Sequence, residues 1–182
     1  MDQVVFETAL GYVALAKRDR VLLALVFGHS TERSASRALA LRVKDLELPV
    51  DGLCASGYQT DDLVERLREF AYGEPTDFSD VAVETRGATS FQLRVIDACR
   101  AIPWGETRSY GQLARSVGRP GAARAVGSVM AANRVPLVVP CHRVVAAAGG
   151  LGGFSAPQGV AMKRRLLATE QRVSAGQQLI AG

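Results

Sequence analysis

A cysteine and a histidine stand side by side at Cys141 and His142, between two short apolar segments at residues 135–139 and 144–148. Both segments have the character of strands. Pro140 interrupts them just before the cysteine, because a proline cannot donate a hydrogen bond to a strand ladder. The pattern therefore predicts a bend that holds the thiol in a largely buried site.

The Cys141–His142 pair allows two interpretations. A cysteine reacts as the thiolate, and an adjacent base such as His142 can generate that thiolate, which is typical of a catalytic nucleophile. A buried cysteine is also a common small apolar core residue, beside which a histidine can simply face the surface. The pair alone does not decide between these interpretations, so the rest of the chain has to.

The composition is that of a folded protein. The chain has 182 residues, of which 48% are hydrophobic and 22% charged, enough for one domain or two small ones. We find no apolar run that could span a bilayer and no N-terminal secretory signal, so we predict a cytoplasmic protein without a membrane partner. The three cysteines, Cys54, Cys99 and Cys141, lack metal-ligand spacing, which argues against a metal site and against a disulfide scaffold.

Charge is divided unevenly along the chain. Residues 1–85 carry 9 Lys and Arg against 15 Asp and Glu, a net charge of −6, whereas residues 86–182 carry 13 against 3, a net charge of +10. Nearly all cations of the basic half are arginines, which suit phosphate binding, so this half is predicted to bind a polyanion. A solvated basic face without a partner is the alternative. We predict domains at residues 1–85 and 86–172, followed by a C-terminal tail at 173–182.

The acidic half has the periodicity of a small mixed domain. Three segments at residues 4–9, 12–17 and 21–27, with turns at Gly11 and Asp19-Arg20, predict the strands of an antiparallel meander. Helical spacing predicts two helices, within residues 31–45 and 61–72. A loop with Pro49, Gly52 and Gly57 separates them, and residues 77–85 form a further extended segment or a linker. This half shows no catalytic set of residues.

The basic half is predicted to be mainly helical. Ser90 can cap a helix that runs to about Ala101 and turns Cys99 toward the core. Ser109 then precedes a short helix at residues 110–117, which a glycine-containing turn joins to a second helix at 122–132. Two short helices joined in this way form a helix-turn-helix pattern.

The second helix of this pattern is built from alanine, glycine and serine around one cation, Arg124. Helices that read base edges in the major groove present long polar side chains, which this helix lacks. Its composition predicts close backbone approach to the minor groove, with Arg124 able to reach into the base stack. Tight packing of two small-residue helices is the alternative.

Together these motifs resemble those of the methylated-DNA–protein-cysteine methyltransferases, also called O6-alkylguanine-DNA alkyltransferases. The resemblance runs from about Phe91 to Glu170. Three motifs carry it: Pro140-Cys141-His142-Arg143-Val144, Ile102-Pro103-Trp104-Gly105-Glu106-Thr107 before Ser109-Tyr110, and Arg124-Ala125-Val126-Gly127. It implies an α+β fold, with a small ribonuclease-H-like N-terminal α/β domain of antiparallel strands and a mostly helical C-terminal domain that contains the helix-turn-helix.

The resemblance also implies a role for individual residues. Cys141 would accept the alkyl group after His142 deprotonates it through a water, and Glu170 would orient the histidine. Tyr110 would donate a proton to the departing guanine, and Asn133 would tie the end of the second helix to the strand that carries the cysteine. The substrate pocket would be formed by Val144, Met130, Phe154 and Ser155. The DNA contacts would come from Ser109, Ala123, Arg124, Ala125, Gly127 and Arg134.

The function implied is irreversible repair of O6-alkylguanine in double-stranded DNA, with O4-alkylthymine as an open alternative. A monomer would flip the base out of the stack, use no cofactor or metal, and act once. Phe154 stands where the family commonly has tyrosine, and the loop that follows is about two residues longer before Lys163, so the range of alkyl groups stays open.

Three other functions compete with this interpretation. An alkyltransferase-like protein binds the lesion without repair, but such proteins lack the cysteine that this chain has at position 141. A simple helix-turn-helix module would need long polar side chains on its second helix. A Cys-His thiol hydrolase would need neither Arg124 nor a basic half.

Overall fold

The computed structural model describes residues 1–44, 46 and 60–180, and it divides into two compact units, Met1–Glu84 and Thr85–Gly182. Cys54 and the predicted loop with Pro49, Gly52 and Gly57 lie outside the described residues. Within those described ranges, no helix combines the length and the apolar character that a membrane span requires.

The first unit is built on a four-stranded sheet in the order β1-β2-β3-β4. The strands β1 (Asp2–Thr8), β2 (Gly11–Arg18) and β3 (Val21–His29) form the predicted antiparallel meander. A two-residue strand, β4 (Ala82–Val83), pairs in parallel with the start of β3. The turn into β2 requires a glycine, because Gly11 has φ +99° and a Cβ there would lie 2.7 Å from the His29 carbonyl oxygen.

Two helices of the first unit lie within the described part of the chain. Helix α1 (Glu32–Val43) begins with a capping box between Thr31 and Ser34. Its buried residues Ala35 and Leu39 belong to the same core cluster as small residues of β2 and β3, which allows the helix to lie close to the sheet. Helix α2 (Thr60–Tyr72) follows.

Within its described residues, 85–180, the second unit contains four helices: α3 (Ser90–Arg100), α4 (Tyr110–Ser116), α5 (Ala123–Ala131) and α6 (Val160–Ile180). Helices α4 and α5 pack against each other as the predicted helix-turn-helix pair. The strand β5 (Arg108–Ser109) pairs in parallel with β6 (Val144–Val145). Because β5 leads directly into α4, this pairing places the start of the helix-turn-helix beside the segment that follows Cys141.

The start of α3 differs from the prediction. The N-cap residue is Thr89 rather than Ser90, and Ser90 is the first helical residue. The Thr89 hydroxyl accepts a hydrogen bond from the Gln92 backbone N–H, and the Gln92 side chain accepts one from the Thr89 N–H. This capping box needs a hydroxyl three positions before the glutamine, a spacing that Thr89 has and Ser90 lacks.

The apolar residues before Cys141 do not form the predicted strand. Residues 135–139 turn back on themselves, because the Val139 N–H donates to the Val135 carbonyl at 2.9 Å and Leu137 has φ +73°. After the cysteine, a strand covers only Val144–Val145 of the predicted residues 144–148, and a short 3-10 turn, Ala147–Gly149, follows. The apolar composition of this segment is explained by burial in a tight turn, since Val135, Val138 and Val139 are all buried.

Candidate active site

Cys141 lies at the first position of a single 3-10 turn, Cys141–Arg143, directly after Pro140. Its backbone N–H donates to the Val139 carbonyl at 2.7 Å, so the turn at 135–139 and the 3-10 turn are continuous. Cys141 is 8% exposed and His142 is fully buried. The thiol therefore lies at a bend in a buried site, as the sequence predicts, and a small part of the residue remains exposed.

His142 and Glu170 form the central hydrogen bond of the site. The His142 Nε2 lies 2.7 Å from Oε1 of Glu170, which is carried by α6 and is 1% exposed. Burial alone would raise the pKa of Glu170, but the hydrogen bonds and charges of His142 and Arg143 hold it below its ordinary value. Glu170 is thus a carboxylate that can only accept, so His142 Nε2 must carry the proton.

The buried setting also fixes the charge of the histidine. Burial lowers the pKa of His142 below its ordinary value, and Arg143 and Lys163 act in the same direction, so the pKa stays lowered although Glu170 acts against them. His142 is therefore neutral, with its proton on Nε2 and its lone pair on Nδ1. This is the tautomer of a histidine that can accept a proton.

Arg143 is a member of the site to which the sequence motif assigned no role. Its guanidinium donates to both carboxylate oxygens of Glu170 at 3.0 to 3.2 Å, and its Nη1 donates to the Ile102 carbonyl at 2.7 Å. Only 8% of Arg143 is exposed, and its guanidinium carbon lies 5.6 Å from the centre of the Trp104 ring. The sequence signal for a buried Arg143 is its place between the two apolar segments at 135–139 and 144–148.

Lys163 is a second buried cation, to which the sequence motifs assign no role. It is fully buried on α6 and donates to the Val144 carbonyl at 2.6 Å. Its ammonium lies 5.9 Å from the ring centre of Tyr110 and 6.0 Å from that of Phe154. Burial lowers the pKa of Lys163, while the charge of Cys141 acts in the opposite direction. Its sequence signal is that residues 86–182 contain no other lysine.

Tyr110 is the first residue of α4 and is partly buried. Burial, followed by the charge of Cys141, raises the pKa of Tyr110 above its ordinary value, so the phenol keeps its proton at neutral pH. Gly152 approaches it closely, since a Cβ at that position would lie 2.9 Å from the phenol oxygen. The loop before α6 therefore contacts a group that can donate a proton.

Asn133, two residues beyond α5, joins that helix to the turn before the cysteine. Its Nδ2 donates to the Val139 carbonyl at 2.9 Å, and its Oδ1 accepts from the Val135 N–H at 3.0 Å. Asn133 therefore binds a tight turn, and not the strand that the sequence predicts.

The other predicted residues differ in their exposure. On α5, Arg124 and Ala125 are exposed, whereas Ala123 and Gly127 are partly buried. Arg134 and Ser155 are exposed and Phe154 is partly buried, while Met130 and Val144 belong to the core. The Ser109 hydroxyl accepts from the Gln112 N–H and so caps α4. The roles of these residues in binding stay predictions.

Among residues 1–44, 46 and 60–180, no three His, Cys, Asp or Glu side chains are grouped closely enough to hold a metal ion. The chemically active groups of the site are the thiol, the imidazole, the carboxylate, the phenol and the two buried cations.

A mostly buried thiol, an imidazole held by a carboxylate and a neighbouring helix-turn-helix are the combination expected of a DNA-binding protein with a nucleophilic cysteine. Residues 90–172 match the family model described as 6-O-methylguanine DNA methyltransferase, DNA binding domain. A methylated-DNA–protein-cysteine methyltransferase of Mycolicibacterium paratuberculosis is 49% identical over 111 residues, which are 61% of this chain and 65% of the relative. The match thus covers just under two thirds of that protein.

Solved structures resemble nearly the whole chain. The Mycobacterium tuberculosis OGT in complex with DNA is 33% identical with a TM-score of 0.68, and the comparison covers 93% of both chains. The M. tuberculosis O6-methylguanine methyltransferase is 37% identical with the same TM-score of 0.68, over 92% of this chain and 91% of that one. The chain belongs to the O6-methylguanine-DNA methyltransferase family. The family resemblance and the α+β fold class predicted from the sequence are confirmed.

Proposed function

We propose that this protein repairs DNA by transferring the alkyl group of O6-alkylguanine in double-stranded DNA to its own Cys141. The observation that carries the proposal is the mostly buried Cys141 next to a histidine whose Nε2 is held by Glu170 at 2.7 Å. Such an arrangement of nucleophile, base and orienting carboxylate activates a thiol for attack. Family membership supplies the substrate class.

In the proposed reaction His142 accepts the thiol proton through a water, with its Nδ1 as the basic nitrogen. The Cys141 sulfur then forms a bond to the alkyl carbon, and the bond between that carbon and O6 breaks with its electron pair on the guanine. Tyr110 donates a proton to the guanine, which leaves more easily as a neutral base than as an anion. The raised pKa of Tyr110 supports this role, because the phenol is protonated when the base departs.

The guanine must leave the duplex before it can meet a buried thiol. Flipping a base costs on the order of a few kcal/mol of lost stacking and pairing. On α5 the exposed Arg124 can fill the gap left by the base, and the neighbouring alanines and glycine allow close approach to the minor groove. The basic composition of residues 86–182 supports binding to the phosphate backbone.

The proposed reaction stops after one transfer. The thioether formed on Cys141 has no chemical route back to the thiol in this site, so each molecule acts once and no cofactor takes part. Location in the cytoplasm, the monomeric state and reaction with O4-alkylthymine stay predictions from the sequence.

The test is an intact-mass measurement after mixing the protein with an equimolar duplex that carries a single O6-methylguanine, followed by peptide mapping. We expect a stoichiometric gain of one methyl group on Cys141. Cys141→Ser should lose the transfer and keep binding to the lesion. Cys99→Ala is the matched control, because Cys99 is fully buried in α3 and burial raises the pKa of its thiol strongly.

Two results would contradict the proposal. Methyl transfer that persists in Cys141→Ser would move the acceptor to another residue. An unchanged mass with the lesion duplex still bound would make the protein a lesion-binding member of the family, and Phe154 with its longer loop would then be the first segment to replace.

A further inference from the structure

All three nitrogens of the Arg143 guanidinium donate hydrogen bonds. Its Nε donates to Oε2 of Glu170 at 3.0 Å and to Oε1 at 3.2 Å, and its Nη2 donates to Oε1 at 3.0 Å. Its Nη1 donates to the Ile102 carbonyl at 2.7 Å, and the Trp104 ring lies beside the guanidinium carbon. Arg143 thus joins the carboxylate of α6 to the turn that follows α3.

These contacts determine how Glu170 is oriented. Oε1 faces His142 and Arg143, while Oε2 accepts from Arg143 and from the Gly105 N–H at 3.0 Å. A carboxylate with both oxygens occupied in this way cannot rotate without losing several bonds at once. The orientation of His142 therefore depends on Arg143 indirectly, because both side chains hydrogen-bond to Glu170.

The balance of buried charge leads to the same conclusion. Glu170 and Lys163 on α6 and Arg143 on its own turn act on the charge of His142, and Cys141 directly precedes it. Arg143, Lys163 and Glu170 together contribute a net charge of +1. A protonated His142 would raise this buried charge to +2, whereas a Cys141 thiolate would bring it to zero. Because uncompensated buried charge is costly, the set favours a neutral histidine and an ionised thiol.

We propose that Arg143 is a positioning residue, which holds Glu170 on His142 Nε2 and, through its own positive charge, keeps His142 neutral and Cys141 ready to ionise. This role rests on the proposed function. It extends the proposed function by assigning control of the protonation of His142 to Arg143, an arginine that does not touch the substrate.

The role predicts a change in pH dependence. Without Arg143, Glu170 would draw a proton onto His142, and the positive charge that favours the thiolate would be reduced. Both effects move the acidic limb of the rate of Cys141 alkylation to higher pH in Arg143→Gln. A displacement of one pH unit would slow the reaction about tenfold on that limb and leave the rate at high pH nearly unchanged. Arg143→Lys keeps the charge but not the fork of donors, so a smaller displacement is expected.

The experiment measures Cys141 modification by mass spectrometry from about pH 5 to about pH 9, where histidine and thiol groups titrate. Two reagents are used, O6-benzylguanine and iodoacetamide, so that DNA binding plays no part. Arg94→Gln, an exposed position on α3, is the control for loss of one positive charge. A rate that falls equally at every pH in Arg143→Gln, or an acidic limb that moves to lower pH, would overturn the proposal.

The wild-type protein offers a second test that does not depend on the folding of a variant. Nitrogen NMR should show His142 as a neutral ring protonated on Nε2 at neutral pH, and an imidazolium there would also overturn the role of Arg143. Failure of the wild type to take a methyl group from DNA would remove the proposed function instead. The iodoacetamide profiles would still decide whether Arg143 controls the thiol.

Discussion

At the scale of single residues, Gly152 shows how a missing side chain can position a reactive group. Gly152 has φ +71°, and a Cβ there would lie 2.9 Å from the Tyr110 phenol oxygen and 3.1 Å from a ring carbon. On another side of the ring, a Cβ at Gly127 would lie 3.9 Å from Tyr110. The phenol is bordered by two glycines, so the position of the proposed proton donor depends on both.

We therefore expect Gly152→Ala to slow methyl transfer from duplex DNA by about tenfold to a hundredfold, because small misplacements of a catalytic group have effects of this size. Single-turnover kinetics measure the rate. Gly153→Ala is the first control, since no atom lies within 4 Å of a Cβ there. Gly149→Ala is the second, because it has φ +81° and open space and so isolates backbone strain. Equal slowing in Gly149→Ala would show that strain, not contact with Tyr110, is the cause.

At the scale of elements, the sequence predicted those parts whose signal is local. The three strands of the meander are separated at Gly11 and Asp19, and α4 and α5 at Gly118 and Gly121, all four with positive φ. The segment at 135–139 was predicted wrongly because a short apolar run is equally compatible with a strand and with a buried turn. Its reversal depends on Asn133, which donates to Val139 and accepts from Val135.

The buried cations were missed for a related reason. A charged side chain in a motif is ordinarily read as exposed, and only its partners in space show that it is not. Arg143 hydrogen-bonds to Glu170, which lies 27 residues further along the sequence, and Lys163 hydrogen-bonds to the Val144 carbonyl, 19 residues before it. Cys141 and His142 could be selected from the sequence because the motif at residues 140–144 carries them, and Glu170 because the family resemblance implies its role. The contacts of Arg143 and Lys163 are visible only in the fold.

For the helix-turn-helix, the discriminating variant is Arg124→Ala. If Arg124 fills the gap left by a flipped base, its loss should slow repair of a lesion duplex by about tenfold or more, equivalent to at least about 1.4 kcal/mol of the cost of flipping. Reaction with the isolated base O6-benzylguanine should change by less than about twofold, because no stack has to be opened. Arg94→Ala on α3 controls for charge. The same loss on both substrates would remove Arg124 from base flipping.

At the scale of the whole molecule, the two units differ in charge, and the second unit contains buried groups through which pH should act on its stability. His142 and Glu170 are buried there, and both have lowered pKa values. A group of this kind binds protons more tightly in the unfolded chain, so its contribution to stability is present above its unfolded pKa and is lost as the pH falls. The second unit should therefore be destabilised by acid.

We expect the free energy of unfolding of the second unit to fall as the pH drops below about 6.5, by up to about 1.4 kcal/mol per pH unit for the one proton on His142. Glu170 adds to the loss below about pH 4.5. Trp104 is the single tryptophan and packs beside Arg143, so its fluorescence in guanidinium titrations reports on this unit. His142→Gln should flatten the profile between about pH 5 and about pH 7. A wild-type profile that is already flat there would contradict the neutral buried histidine.

The burial of Lys163 also has a practical consequence for handling the protein. Every other cation of residues 86–182 is an arginine, and the amine of Lys163 is enclosed by the Val144 carbonyl and two aromatic rings. Amine-directed dyes, cross-linkers and immobilisation supports should therefore attach at the chain's N-terminus and at Lys17 and Lys44, all in the first unit. The protein can be tethered or labelled through its amines while the chemistry of the second unit is left unmodified.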